Sequence, residues 1–137
     1  MLRKVIKYVD YNGVEREEPF YFNLNKAELT DFNLSKEGGL DNIIKRIIET
    51  KDQPHLIAII KELILAAYGE KSDDGKYFIK NQEIKDKFVC TEAYSNLYME
   101  LVSNEQETIK FIKAIIPADI LQSIEAKERE EAAKANA

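Results

Sequence analysis

Apolar and polar positions run at two different periods along this chain. In "RKVIKYVDYNGVEREEPFYFNL", Val5, Ile6, Tyr8, Val9 and Tyr11 precede Asn12-Gly13, and Val14, Phe20, Tyr21 and Phe22 follow it. Strand formers on both sides of Asn-Gly predict a β-hairpin over residues 3–22, since that dipeptide tolerates the positive φ of a tight turn. A two-residue loop and a three-residue loop closing at Gly13 differ in register by one. Either way Lys7 faces Glu17 or Glu18, a favourable cross-strand pair. Pro19 cannot donate a ladder hydrogen bond, so its nitrogen is expected at an edge or a bulge. A lone hairpin is marginal in water and must lean on the segments that follow.

From Asn25 onward the period becomes helical. "NKAELTDF" carries Glu28 three residues after Asn25, a capping-box pattern that opens a short helix. Gly38-Gly39 breaks the chain, and Leu40, Ile43, Ile44, Ile47 and Ile48 then form an amphipathic stripe. Asp52 caps the next helix, with Pro54 in its first turn, where a missing N–H costs nothing. That helix, "HLIAIIKELILAAYG", is apolar over more than one face, so it is either central in the core or partly covered by a partner. Gly69 is expected to end it as a left-handed cap.

Residues 69–81, "GEKSDDGKYFIKN", read as a connection with a short extended piece at Tyr77 to Ile79. Asn81 caps a brief helix through Phe88, and Thr91 and Glu92 start a second with Ala93, Tyr94, Leu97, Tyr98 and Leu101 on one side. Ser103 or Asn104 opens a third, striped by Ile109, Ile112, Ile115 and Ile116, and Pro117 breaks or kinks it. After Ile120, Leu121 and Ile124 the chain offers almost nothing to bury. The elements predict a mainly α fold with an N-terminal β-hairpin: a compact, bundle-like single domain over residues 1–125. A charged helical extension that frays into a mobile tail is expected over 126–137.

Composition narrows the functional classes. The chain has 137 residues, 45% hydrophobic and 33% charged, enough to bury a core and unlike a disordered polymer. Its net charge of −5 and scattered Lys and Arg argue against nucleic-acid binding through a basic face. One Cys and one His exclude a disulfide framework and a His/Cys zinc site within one chain. The charged start "MLRKVIKYVDY" is no signal peptide, and no apolar run approaches the roughly 20 residues of a membrane span. A cytoplasmic protein is expected.

Candidate chemistry fails at each motif. In residues 69–81 the Gly to Gly-Lys spacing is one residue too long for a P-loop, Tyr77 stands where Ser or Thr would bind magnesium, and a helix precedes. Asp73 and Asp74 are adjacent, whereas a calcium loop needs alternating ligands. His55 has no nucleophile and acid at recognisable spacing, Cys90 has no His or Cys companion, and Glu15, Glu17 and Glu18 read as a wet hairpin face. No catalytic, cofactor or metal residues are assigned, and no enzyme is expected.

Tyr8, Tyr11, Phe20, Tyr21 and Phe22 lie on both faces of one hairpin, so one face cannot bury them all. They form either a core cluster or a sticky edge for self-association or a partner strand. Phe20 and Phe22, with Leu56, Ile57, Ile60 and Ile64 on the over-apolar helix, are therefore the candidate protein-binding residues, some of which must be core.

In order, "KVIKYVDYNGVEREEPFYFNLNKAEL", "GGLDNIIKRII", "LAAYGEKSDDGKYFIKN", "TEAYSNLYMEL" and "FIKAIIPADI" resemble the tail assembly chaperones of long, flexible-tailed bacteriophages. The resemblance covers residues 3 to about 121. It implies a non-enzymatic protein that keeps the tape-measure protein soluble while tube subunits polymerise around it. It further implies action in the cytoplasm of the infected host cell, absence from the mature virion, and a tail-tube protein as a further partner. Self-association would multiply weak contacts. The alternative from another class is a small acidic helical adaptor or inhibitor acting on a host or phage protein.

Overall fold

The structure, a computed structural model, describes residues 1–35 and 53–135. In chain order the elements are β1 (Leu2–Val9), β2 (Glu15–Phe22), α1 (Lys26–Ser35), α2 (Gln53–Ala67), β3 (Tyr68–Lys71) and β4 (Phe78–Ile79). They continue with α3 (Gln82–Val89), α4 (Glu92–Ser103), α5 (Glu105–Ile115) and α6 (Ala118–Ala135). The Gly38-Gly39 break, the stripe from Leu40 to Ile48 and the Asp52 cap lie outside the described residues.

The N-terminal hairpin takes the register of the three-residue loop, with Lys7 opposite Glu17 and Val5 opposite Pro19. Gly13 sits at φ 78°, and its amide donates to the Asp10 carbonyl at 2.9 Å. The Asp10 carboxylate holds the loop together, accepting from the amides of Asn12 and Val14 and from Arg16 Nε at 2.6 Å. The Arg16 hydrogen bond, followed by that of Val14, keeps the Asp10 carboxyl below its ordinary pKa.

Two further strands extend this hairpin into an antiparallel sheet of order β1-β2-β3-β4. Residues 69–81 are thus a second hairpin rather than a plain connection. Gly69 does not cap α2. It lies in β3 opposite Tyr21, and a Cβ there would come within 2.8 Å of the Phe78 ring and 2.9 Å of the Ile79 carbonyl oxygen. A side chain is excluded by close approach, not by a left-handed backbone. The turn is made by Gly75, at φ 76°, with the Asp74 carboxylate accepting from Ser72 Oγ at 2.7 Å and the Lys76 amide at 2.9 Å.

Strand β2 alternates cleanly with β1. Ile6 and Phe22 are buried and Leu2, Tyr8 and Phe20 half-buried on one face; Arg3, Val5, Lys7, Val9, Glu15, Glu17 and Pro19 are exposed on the other. The helices cover the first face only, so the mainly α single domain is built in two layers, helices on an antiparallel sheet of four strands where the sequence shows one hairpin. Between the layers Tyr68 stacks on Phe88 at 3.9 Å, and Phe22 meets Phe88 at 5.9 Å and Phe111 at 5.3 Å. The same cluster takes in Leu63, Ile64 and Ala67 of α2, Leu97 and Leu101 of α4, Ile112 and Ile115 of α5, and Ile124 of α6.

Capping residues start the helices where the sequence places them. Asn25 Oδ1 accepts from the Glu28 amide at 2.8 Å and Glu28 Oε1 from the Asn25 amide at 3.0 Å, a reciprocal capping box. Asn81, Thr91 and Asn104 cap α3, α4 and α5. Pro117 separates α5 from α6, which runs as helix to Ala135 although Ile124 is the last buried residue of the chain that is described. Lys80 ties three segments together, donating from Nζ to Glu28 Oε2 at 2.6 Å, the Asn23 carbonyl at 2.6 Å and the Ala66 carbonyl at 2.9 Å. Burial lowers its pKa, outweighing the opposite pull of Glu28.

Candidate protein-binding surface

The surface feature of most chemical interest follows from one proline. Counting from the bonded Asp10–Val14 pair, Pro19 points its nitrogen toward β3, where the ladder needs a donor. Pairing of β2 with β3 accordingly stops at Tyr21–Gly69 and Phe22–Tyr68. The strands part beyond that point and leave a hollow of about 380 Å³ lined by Glu18, Phe20, Tyr21, Tyr68, Glu70 and Lys71, among others.

Phe20 forms the apolar part of this hollow. Its ring packs against Phe88 at 5.5 Å, Tyr8 at 6.3 Å and Tyr68 at 6.5 Å while remaining partly exposed. Glu18 and Glu70 supply negative charge, and Lys71 Nζ stands 5.9 Å from the Tyr21 ring centroid. Burial, and then Glu70, raise the Tyr68 hydroxyl pKa, so it remains a neutral donor at physiological pH. The arrangement suits an apolar side chain flanked by polar backbone or by charges of either sign.

The other sequence-derived candidates fall at different depths. Phe22 and Ile64 are 0% exposed and Ile60 5%, which makes them core in this fold. Ile57 is half-buried on α2; the side chains of His55 and Leu56, on the same helix, lie outside those described. Phe20 and Ile57 are thus the candidates shown with surface to offer.

Tyr11, read from the sequence as part of a core cluster or a sticky edge, is 76% exposed. Sequence reasoning passed over its neighbours: Val5 (43% exposed), Val9 (51%) and Val14 (54%) stand out on the first hairpin, and Tyr77 and Ile79 on the second. The signal for Val5 and Val9 was present: once register fixes Ile6 inward, odd positions of β1 must face out. A further hollow of about 510 Å³ lies beside Lys7, Val9, Glu17 and Asn96, where Asn96 Nδ2 donates to the Lys7 carbonyl at 3.0 Å and covers part of the β1 edge. Among the described residues there is no group of three or more His, Cys, Asp or Glu able to hold a metal, and no helix long and apolar enough to cross a membrane.

An aromatic hollow and outward apolar side chains set among charges are the equipment of a protein-interaction domain. The whole chain, residues 1–137, matches the profile of the phage tail assembly chaperone family, and it belongs to that family. No curated protein and no solved structure matches it. Membership gives the chain protein partners in tail assembly and agrees with the resemblance carried by its motifs.

Proposed function

We propose that this chain binds the tape-measure protein through apolar surface and keeps it soluble during tail assembly, acting by binding and not by catalysis. Family membership supports the role, and the observation that carries the surface assignment is Phe20, half-exposed in the hollow that Pro19 opens between β2 and β3. Phe20 there and Ile57 on α2, with Leu56 beside it in sequence, are the proposed client contacts. A hollow of this size takes one or two side chains, so affinity comes from several modest contacts and release stays easy. The tail-tube protein is a further partner, the chain associates with itself, and the setting is the cytoplasm of the infected cell, the protein being absent from the finished virion.

Coexpression with the tape-measure protein tests this. Wild type is expected to raise the soluble fraction of the client, and Phe20→Ser and Ile57→Ser, each shown folded by circular dichroism, to lower it. Apolar contacts resist moderate salt, because burial is not screened as surface charge pairs are. A client whose solubility is indifferent to wild type overturns the role. Variants as effective as wild type overturn the surface assignment and leave the role standing.

A further inference from the structure

The outer face of the first hairpin carries charge in a self-complementary pattern. On β1 it presents Arg3, Val5, Lys7 and Val9; directly opposite on β2 stand Tyr21, Pro19, Glu17 and Glu15. One strand is therefore cationic and apolar, its neighbour anionic and apolar. Arg3, Lys7, Glu15 and Glu17 make no ion pair with any described residue, even though Lys7 faces Glu17 in register. The nearby charges that do pair, Arg16 with Asp10 and Lys4 with Glu100, are elsewhere. Among the described residues, the helices pack on the opposite face and touch this one only at the β1 edge, through Asn96 on the Lys7 carbonyl, leaving Val5 and Val9 43% and 51% exposed.

We propose that this face receives a second copy of the same chain, face to face, about a two-fold axis lying parallel to the strands. That operation sets β1 of one copy over β2 of the other at the same height. Lys7 then meets Glu17 of the second copy and Glu17 meets its Lys7; Arg3 lies over the Tyr21 ring, and Val5 over Pro19. Every contact occurs twice, as an isologous interface demands. An axis across the strands would instead set the cationic β1 over β1 and the anionic β2 over β2, which like charge opposes. The pattern thus selects one of the two face-to-face arrangements. Two strands of eight residues offer a footprint of roughly 300 Å² per copy from strand spacing and rise. Standard interfaces bury about 800 Å² per partner, so this pair is weak, salt-sensitive and dependent on concentration.

This deepens the self-association in the proposed function but needs no client, so the two fail separately. Sedimentation of the full chain alone reads it. Wild type is expected to approach dimer mass as concentration rises at low salt and to return toward monomer as salt is added. Lys7→Glu and Glu17→Lys should each weaken self-association at least tenfold. Mixed together they should pair with each other, because the carboxylate introduced by Lys7→Glu in one meets the ammonium introduced by Glu17→Lys in the other, while the native Glu17 of the first meets the native Lys7 of the second. The double variant, which also restores the cross-strand pair within the hairpin, should dimerise like wild type and guards against a fold defect in the single variants. A wild type that stays monomeric up to about 1 mM overturns the proposal. So do single variants that self-associate as wild type does, or a mixture that fails to pair while the double variant is folded.

Discussion

Lys80 Nζ lies 2.6 Å from Glu28 Oε2, while Oε1 of the same carboxylate accepts the Asn25 amide at 3.0 Å. One side chain therefore closes the capping box of α1 and anchors a lysine that also holds the Asn23 and Ala66 carbonyls. The start of α1, the end of α2 and the strand-to-helix junction after β4 share this single carboxylate.

The two roles of Glu28 are separable by substitution. Glu28→Gln retains an oxygen for the capping box but not the charge opposite Lys80, and should cost about 1 kcal/mol. Glu28→Ala removes both and should cost about 2 kcal/mol, reduced from buried-pair values because Glu28 is partly exposed. Urea denaturation checks both. Equal losses would show that only one role matters.

Gly69 and Gly75 should respond oppositely to side chains. Gly69→Ala drives a methyl into the Phe78 ring and the Ile79 carbonyl and should cost about 1–3 kcal/mol. Gly75→Asn meets open space and a residue type that tolerates positive φ, so it should cost less than about 1 kcal/mol. Thermal melts of the two variants give the comparison; a greater loss at Gly75 would contradict the strand assignment of Gly69.

Asp10 gives the first hairpin an acid limit. Its carboxyl pKa is lowered in the fold, chiefly by Arg16, so the unfolded chain takes up that proton first as pH falls. The stabilisation is complete above the ordinary carboxylate value of 3.8 and is lost as pH drops through the lower folded value. The advantage of wild type over Asp10→Asn should therefore be constant near neutrality and shrink below about pH 4. An advantage unchanged in acid would remove the charge from the explanation.

Truncation after Glu125 should change stability by less than about 0.5 kcal/mol, since Ile124 is the last buried residue described and the side chains beyond it that are described are exposed. A clear drop in melting temperature would show that the end of α6 docks.

Local rules carried most of the fold. Asn25 with Glu28, Asn81, Thr91 and Asn104 each announce a helix start through a side chain that can accept an orphan amide, and all four do so. Gly69 misled for a physical reason: glycine after an apolar helix has the composition of a left-handed cap, and only the approach of Phe78, nine positions on, shows that space and not φ is limiting. The candidate surface was half legible. An α2 apolar on several faces signals either a central helix or a partnered one, and Ile60 and Ile64, buried in the shared core, show the former. The hollow at Phe20 depends on where β3 stops pairing, a long-range relation that no local pattern in β2 encodes.

The pairing of Phe22 with Tyr68, and of its ring with Phe111, also sets a timetable. The first hairpin can form within microseconds of leaving the ribosome, yet the residues that cover Phe22 follow only after synthesis continues to position 111. At ordinary translation rates that is roughly 4–18 s during which Ile6, Phe20 and Phe22 stand bare on a two-stranded ribbon with open edges. A nascent chain halted before Tyr68 would hold the earliest-forming element of the fold and also its most aggregation-prone one.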